Sequence, residues 1–280
     1  MPLQKQKELE QITTVIKGLT EPEQIILFGS YARGSWVEDT VQEGHITYEY
    51  MSDFDILVIV KGTWLANNVS LWHKINKKIQ QTPSIKTWVN IIVHDAQFVN
   101  KKLTKGEYFF ADIKNEGVLL YDSKKIKLSR IKKLNPKQRM DIAQEDFRLW
   151  FGNAKEFYKQ FEAAFKRKSY RVAAFELHQA TERFYMAILL VFTHYKPKIH
   201  DLEKLGQMVA AQDPIFLKVF NRSTDKEKNL FDLLQKAYID ARYKKTYRIK
   251  KGELEYLAAR VKMLQQLAKT TCQKKIESFD

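Results

Sequence analysis

The sequence predicts an α/β (α+β) domain with a short mixed sheet, followed by an all-α helical bundle. Three observations carry that expectation. Up to residue 122, apolar runs of strand length near 24–28, 53–60, 87–93 and 118–121 alternate with amphipathic stretches, as in a sheet with helices packed on it. From Asn135-Pro136 onward the apolar residues recur only at helical spacing. Between these regions, residues 123–135 are lysine-rich and carry no acid, which reads as a basic linker. The expected division is 1–122, a linker at 123–135, and a bundle at 136–280.

Taken in order, residues 3–18 form an amphipathic helix with Leu3, Leu9, Ile12, Val15 and Ile16 apolar. A short strand at 24–28 ends at Gly29-Ser30, and residues 30–35 turn into a helix. Residues 53–60 are a buried strand stopped by Lys61-Gly62. A helix is expected over 64–80 and a third strand over 87–93. Two helices at 95–104 and 107–116 precede a last strand at 118–121. Residues 36–51 are an insertion carrying Glu38, Asp39, Glu43 and Glu49 with Trp36, Tyr48 and Tyr50. It reads either as a lid or specificity element or as a tolerated surface excursion.

In the second half Asn135 is a helix N-cap and Pro136 takes the first helical position. Helices are expected at about 136–166, 169–195, 201–211, 225–241 and 252–270. Ser169, Asp201 and Thr224 are N-cap candidates, and Pro197 is the expected stop of the second helix. That helix carries an apolar stripe of Val172, Phe175, Phe184, Ala187, Ile188 and Val191, the core of a bundle.

Composition bounds the chemistry. The chain has 280 residues, a net charge of +15 and one cysteine, Cys272. One cysteine excludes a disulfide scaffold within the chain and points to a reducing, cytoplasmic setting. No secretory signal is visible at the N-terminus, and the longest apolar stretch, 186–192, is too short to span a bilayer. The positive charge favours anionic partners such as a nucleoside triphosphate or RNA. Arg242, Lys244, Lys245, Arg248, Lys250 and Lys251 cluster around Tyr243 and Tyr247, and such aromatic interleaving suits nucleic acid. No zinc-ligand spacing, no Ser/His/Asp signature and no Gly-rich dinucleotide fingerprint is present.

The most specific signal is a pair of motifs: Leu27-Phe28-Gly29-Ser30-Tyr31-Ala32-Arg33-Gly34, then Ser52-Asp53-Phe54-Asp55-Ile56-Leu57-Val58. Side chains two apart on a strand share a face, so Asp53 and Asp55 point the same way. Two such carboxylates suit Mg²⁺, which usually takes substrate phosphates as further ligands. Gly29 permits close backbone approach to phosphate, and Ser30 supplies a donor. Over roughly residues 20–122 these motifs resemble the nucleotidyltransferase superfamily of DNA polymerase beta, minimal type. Residues 136–270 resemble HEPN domains, through Ala174-Phe175-Glu176-Leu177-His178-Gln179-Ala180-Thr181-Glu182-Arg183, His200-Asp201-Leu202-Glu203-Lys204-Leu205 and Ala241-Arg242-Tyr243. The whole chain looks like the fused nucleotidyltransferase–HEPN proteins of Bacteroidetes.

The resemblance implies transfer of a nucleoside monophosphate, AMP from ATP, to a hydroxyl acceptor with Mg²⁺ as cofactor. Asp53 and Asp55 would hold the metal, and Gly29, Ser30 and Arg33 the nucleotide. The acceptor is a small molecule, a protein tyrosine or an RNA end, and the bundle is expected to form a homodimer. Two departures stand against a simple transfer. The third carboxylate of the superfamily aligns with Asn90, which brings no charge and cannot act as a base. His94 and Asp95 lie just beyond as candidate substitutes. HEPN ribonucleases place a histidine four to six residues after an arginine; Arg242 is well placed, but no histidine follows it. Arg242, Tyr243 and Tyr247 are the candidate site of the bundle. The alternative reading is a nucleotide-binding pseudoenzyme whose bundle dimerises and binds RNA or a protein.

Overall fold

The computed structural model describes residues 1–34, 38–43, 46–51, 53–197 and 199–279; for 38–43 and 46–51 it describes the backbone alone. The chain divides into two compact units, Met1–Lys133 and Leu134–Asp280.

The first unit is built on a four-stranded mixed sheet. Its strands are β1 (Pro22–Phe28), β4 (Phe54–Val60), β5 (Val89–Asp95) and β6 (Val118–Asp122), in the order β5-β4-β1-β6. β4 and β5 are parallel, whereas β1 is antiparallel to both of its neighbours. The near-continuous apolar runs of β1 and β4 follow from burial on both faces. On one face Leu9, Ile12 and Ile16 of α1 (Leu3–Leu19) and Trp72, Ile75 and Ile79 of α4 (Val69–Gln80) join Ile25, Leu27, Ile56 and Val58 in one core. On the other lie α5 (Ala96–Lys105) and α6 (Tyr108–Glu116), which bury Val99, Leu103, Phe110 and Ile113.

Two expectations for this unit are corrected. The helix expected over 64–80 is two: α3 (Thr63–Ala66), then α4, which restarts at Asn68 because the Asn68 side chain accepts from Leu71 N–H at 3.1 Å. The insertion is not a loop. Its backbone forms an antiparallel hairpin of β2 (Glu38–Glu43) and β3 (Ile46–Met51). β-branched and aromatic residues on either side of Gly44 favour that ribbon. Trp36 and Ser52 lie outside the described residues, as do the side chains of Glu38, Asp39, Glu43, Glu49, Tyr48 and Tyr50. The basic stretch after β6 is fastened to this unit. Ser123 N–H donates to Glu23 O at 2.8 Å, Ser129 N–H to Asn100 Oδ1 at 2.6 Å, and Lys132 N–H to Leu103 O at 3.0 Å.

The second unit is a helical bundle around α8 (Tyr170–Thr193), which packs against α7 (Pro136–Lys166), α9 (Leu202–Ala210), α10 (Asp225–Lys236), α11 (Asp240–Tyr243) and α12 (Lys251–Glu277). α8 is buried almost all round from Ala173 to Val191, so its apolar stripe widens into a full core helix. Val172, expected in the stripe, is exposed. The N-terminus of α7 is a capping box of Asn135 and Gln138, and Asp201 and Thr224 cap α9 and α10. Ser169 makes no side-chain cap bond. Nor does Pro197 end α8: the helix stops at Thr193 because His194 takes a left-handed conformation with φ 53°. The helix expected over 225–241 breaks after Lys236 into α10 and α11, and a short 3₁₀ turn, Pro214–Lys218, escapes the sequence pattern.

Candidate functional site

Strand register brings the two motifs of the first unit together. Phe28 at the end of β1 pairs with Asp55 of β4, and Asp55 pairs in turn with Asn90 of β5. Gly29 therefore turns the chain directly beside the Asp55 carboxylate. Its φ is +76°, and a Cβ at this position would collide with that carboxylate. Glycine is required here twice over, by backbone conformation and by space. Ser30, Tyr31 and Arg33 follow in α2 (Gly29–Arg33), which Gly34 ends at φ 74°. Tyr31 and Phe54 are buried against each other with ring centroids 4.6 Å apart. That packing fixes the turn over the start of β4 and leaves Asp53 and Asp55, on either side of Phe54, half-buried at the rim.

The electrostatics of the pair are frustrated. Burial raises the Asp53 carboxyl above its ordinary range. Burial pushes Asp55 up to about 7; the Asn90 hydrogen bond opposes this, Asp53 adds to it and Arg33 opposes it. Arg33 is only loosely committed elsewhere, with Glu116 at 3.9 Å and both side chains about half exposed. Among the described residues no group of three His, Cys, Asp or Glu side chains could hold a metal. A cation bound by Asp53 and Asp55 would have to complete its shell from water and substrate oxygens.

The register puts Asn90 opposite Asp55, where its Nδ2 donates to Asp55 Oδ1 at 3.0 Å. His94 and Asp95 do not substitute for a carboxylate there. They pair with Ile59 and Val60 at the far end of β4. Asp95 is spent as the N-cap of α5, accepting from Phe98 N–H at 2.9 Å, and His94 stacks on Phe98 at 4.3 Å.

In the bundle the candidate residues separate. Tyr247 is buried and its hydroxyl donates to Leu233 O at 2.9 Å, so it belongs to the core and leaves the candidate site. Tyr243 is 72% exposed. The Arg242 guanidinium lies 4.6 Å from the Tyr238 ring, 5.0 Å from Tyr243 and 5.1 Å from Phe175, a geometry for cation–π attraction. Beside it is a cluster that joins the segments 174–183 and 200–205. Glu182 is buried on α8, and His200 Nδ1 lies 2.9 Å from its Oε2. Arg183 is 4.0 Å from its Oε1. His200 stacks on Tyr238 at 4.3 Å, and His178 lies near the same ring at 5.3 Å. Burial holds the His178 pKa down at about 3, so this imidazole is neutral. The contact between His178 and Glu182, four residues apart on α8, is the longer one, at 4.0 Å.

Comparison with known proteins agrees with the helical half. Residues 147–271 match the family model for the HEPN domain. The fold and motifs thus define a chain in two parts, a small mixed-sheet unit with a Gly-Ser turn beside an Asp-x-Asp pair, then a bundle matching HEPN. A crystal structure of a nucleotidyltransferase-like protein from Exiguobacterium sibiricum is similar over 95% of this chain and 78% of its own, at 14% identity and a TM-score of 0.32. That superposition is too loose to bear on the site. No curated protein matches the chain. Among the described residues no helix is long and apolar enough to cross a membrane.

Proposed function

We propose that the first unit transfers a nucleoside monophosphate, AMP from ATP, to a hydroxyl acceptor, with Mg²⁺ held by Asp53 and Asp55. The observation that carries this reading is the Asp55 carboxylate, pushed up to about 7 and packed against Gly29, with Asp53 adding a second carboxylate beside it. Such a carboxylate is destabilised as an anion until a cation compensates it. Two carboxylates plus phosphate oxygens are the usual surroundings of Mg²⁺, so the residues present fit the ion. Bound there, the metal would neutralise charge on the phosphates. Ser30 would donate its hydroxyl to a phosphate oxygen, and Arg33 is near enough to Asp55 to meet the same anion. The acceptor oxygen would attack the α-phosphorus; a new P–O bond forms, the α–β bridge bond breaks and pyrophosphate leaves. Asn90 cannot take the acceptor's proton, so that proton passes to solvent, and turnover is expected to be slow. Incubating the pure protein with α-labelled ATP, Mg²⁺ and cell extract tests the reading. Label should move to an acceptor with the wild type and not with Asp53→Asn or Asp55→Asn. Transfer undiminished in both variants would overturn it.

The second reading is a nucleotide-binding pseudoenzyme whose bundle pairs with a second copy and binds RNA or a protein. Two observations favour it: the neutral Asn90 in register with Asp55, and the Arg242 guanidinium set among three rings. Stacking of bases on Tyr243 with phosphate on Arg242 would be the mode of RNA binding.

A further inference from the structure

At the other end of the sheet is a second concave surface, which the proposed transfer does not use. It encloses about 1010 Å³ between the α1–β1 turn, the segment after β4 and the end of β6. Six residues after Asp55, at about 3.3 Å each, put Lys61 about 20 Å from that carboxylate along β4. Ligand pockets commonly enclose about 300–1,000 Å³.

Three features of its wall point to one class of ligand. Trp64 leaves 79% of its surface in solvent, and Tyr121 lies across the same hollow with the Lys17 ammonium 4.4 Å from its ring. The second feature is positive charge. Lys17, Lys61 and Lys125 converge here, and among the described residues none of the three makes an ion pair. The third is a buried polar group. Thr20 is nine-tenths buried, and its Oγ1 has no hydrogen-bond partner. Of the two acids in the wall, Glu23 is buried and accepts the Ser123 hydroxyl; Glu21 makes no ion pair among the described residues.

We propose that this surface binds a nucleoside phosphate, as a second nucleotide site apart from Asp53 and Asp55. The lysines take the phosphate groups and the exposed indole stacks the base. Glu21 faces the ribose, whose hydroxyls can donate to its carboxylate. An inorganic anion would leave the indole unused, and a bare nucleoside would leave three ammonium groups unpaired.

The experiment uses the full chain carrying Asp53→Asn and Asp55→Asn, so failure of the transfer reading leaves this one standing. ADP without divalent cation is titrated by calorimetry into this protein and into the same protein with Trp64→Ala or Lys61→Glu. The expected result is ADP binding that weakens at least tenfold with either surface substitution and exceeds that of phosphate or adenosine at least tenfold. Photolabelling with 2-azido-ADP should mark the peptides spanning 61–65 and 121–126. Absence of ADP binding, unchanged affinity in both surface variants, equal binding of phosphate, or label confined to other peptides would each overturn the proposal.

Discussion

Asp55 and Glu182 are both carboxylates set into the wall of their unit, and they keep opposite company. Glu182 has an imidazole at 2.9 Å and a guanidinium at 4.0 Å. Asp55 has an amide at 3.0 Å, a second carboxylate beside it and a loosely held arginine, and burial pushes it up to about 7. A carboxylate whose cations are built in is cement for the fold. One whose cation is missing is a place for an ion to arrive. The positive cluster after α11 follows the same rule. Lys244 pairs with Asp240 at 3.0 Å and Lys251 with Glu255 at 3.5 Å, whereas Arg242 meets three rings and donates from Nε to Tyr238 O at 2.6 Å. Among the described residues Arg242 makes no ion pair, which leaves its charge available to an outside anion.

The comparison breaks most visibly at Glu182. Glu182→Ala should cost about 2 kcal/mol of stability, because it removes a buried carboxylate together with its hydrogen bond to His200 and its contact with the part-buried Arg183. Urea unfolding of the wild type and the variant measures it; a loss under about 1 kcal/mol would deny Glu182 its structural part. Asn90→Asp acts in the opposite sense in the other unit. By adding a positioned base it should raise nucleotidyl transfer about 10²-fold, read as turnover of α-labelled ATP. A folded variant with unaltered turnover would separate Asn90 from the chemistry.

The two regions should also slope oppositely with pH. Asp55 is raised from 3.8 to about 7, so the folded state binds the extra proton between those values. Its contribution to stability is full below 3.8 and is lost as pH rises towards 7. His178 is lowered from 6.5 to about 3, so the unfolded state binds the extra proton. Its contribution is full above 6.5 and is lost as pH falls towards 3. Metal-free denaturant melts from pH 4 to 7.5 should show Asp55→Asn removing a fall in stability with rising pH, and His178→Gln removing a rise. Either slope with the reverse sign would contradict its assignment. The smallest effect concerns RNA. If the bundle binds it, Arg242→Ala should lower the salt slope of log K by about 1, measured by fluorescence anisotropy across a salt series.

How far these regions were legible depends on how local their geometry is. The Asp-x-Asp pair declares itself because strand alternation alone puts two carboxylates on one face. The Gly-Ser turn declares itself because Gly29 has to hold a positive φ. Even Asn90 falls out of counting along an apolar strand. His200 meets its partner by no such local rule. It lies 18 residues after Glu182, and it reaches that carboxylate only because α8 stops at His194 and the chain folds back. Tyr243 and Tyr247 look alike in the sequence, four apart in one basic run. The end of α11 at Tyr243 and the irregular segment before α12 turn Tyr247 inward and leave Tyr243 outside. The hairpin of Glu38–Glu43 and Ile46–Met51 is harder to read because its acidic and polar residues mask the strand alternation of its β-forming Val41, Ile46, Tyr48 and Tyr50.

The central claim is that the frustrated Asp53–Asp55 pair is completed by a cation carried in with a nucleotide. Calorimetric titration of a non-hydrolysable ATP analogue, with and without Mg²⁺, tests it most directly at pH 6 and pH 8. The account predicts Mg²⁺-dependent binding, tighter at pH 8 than at pH 6 because Asp55 must lose its proton, and weakened about 10²-fold or more in the Asp53→Asn, Asp55→Asn protein. Binding of equal strength without Mg²⁺, at both pH values and in that variant, would contradict it.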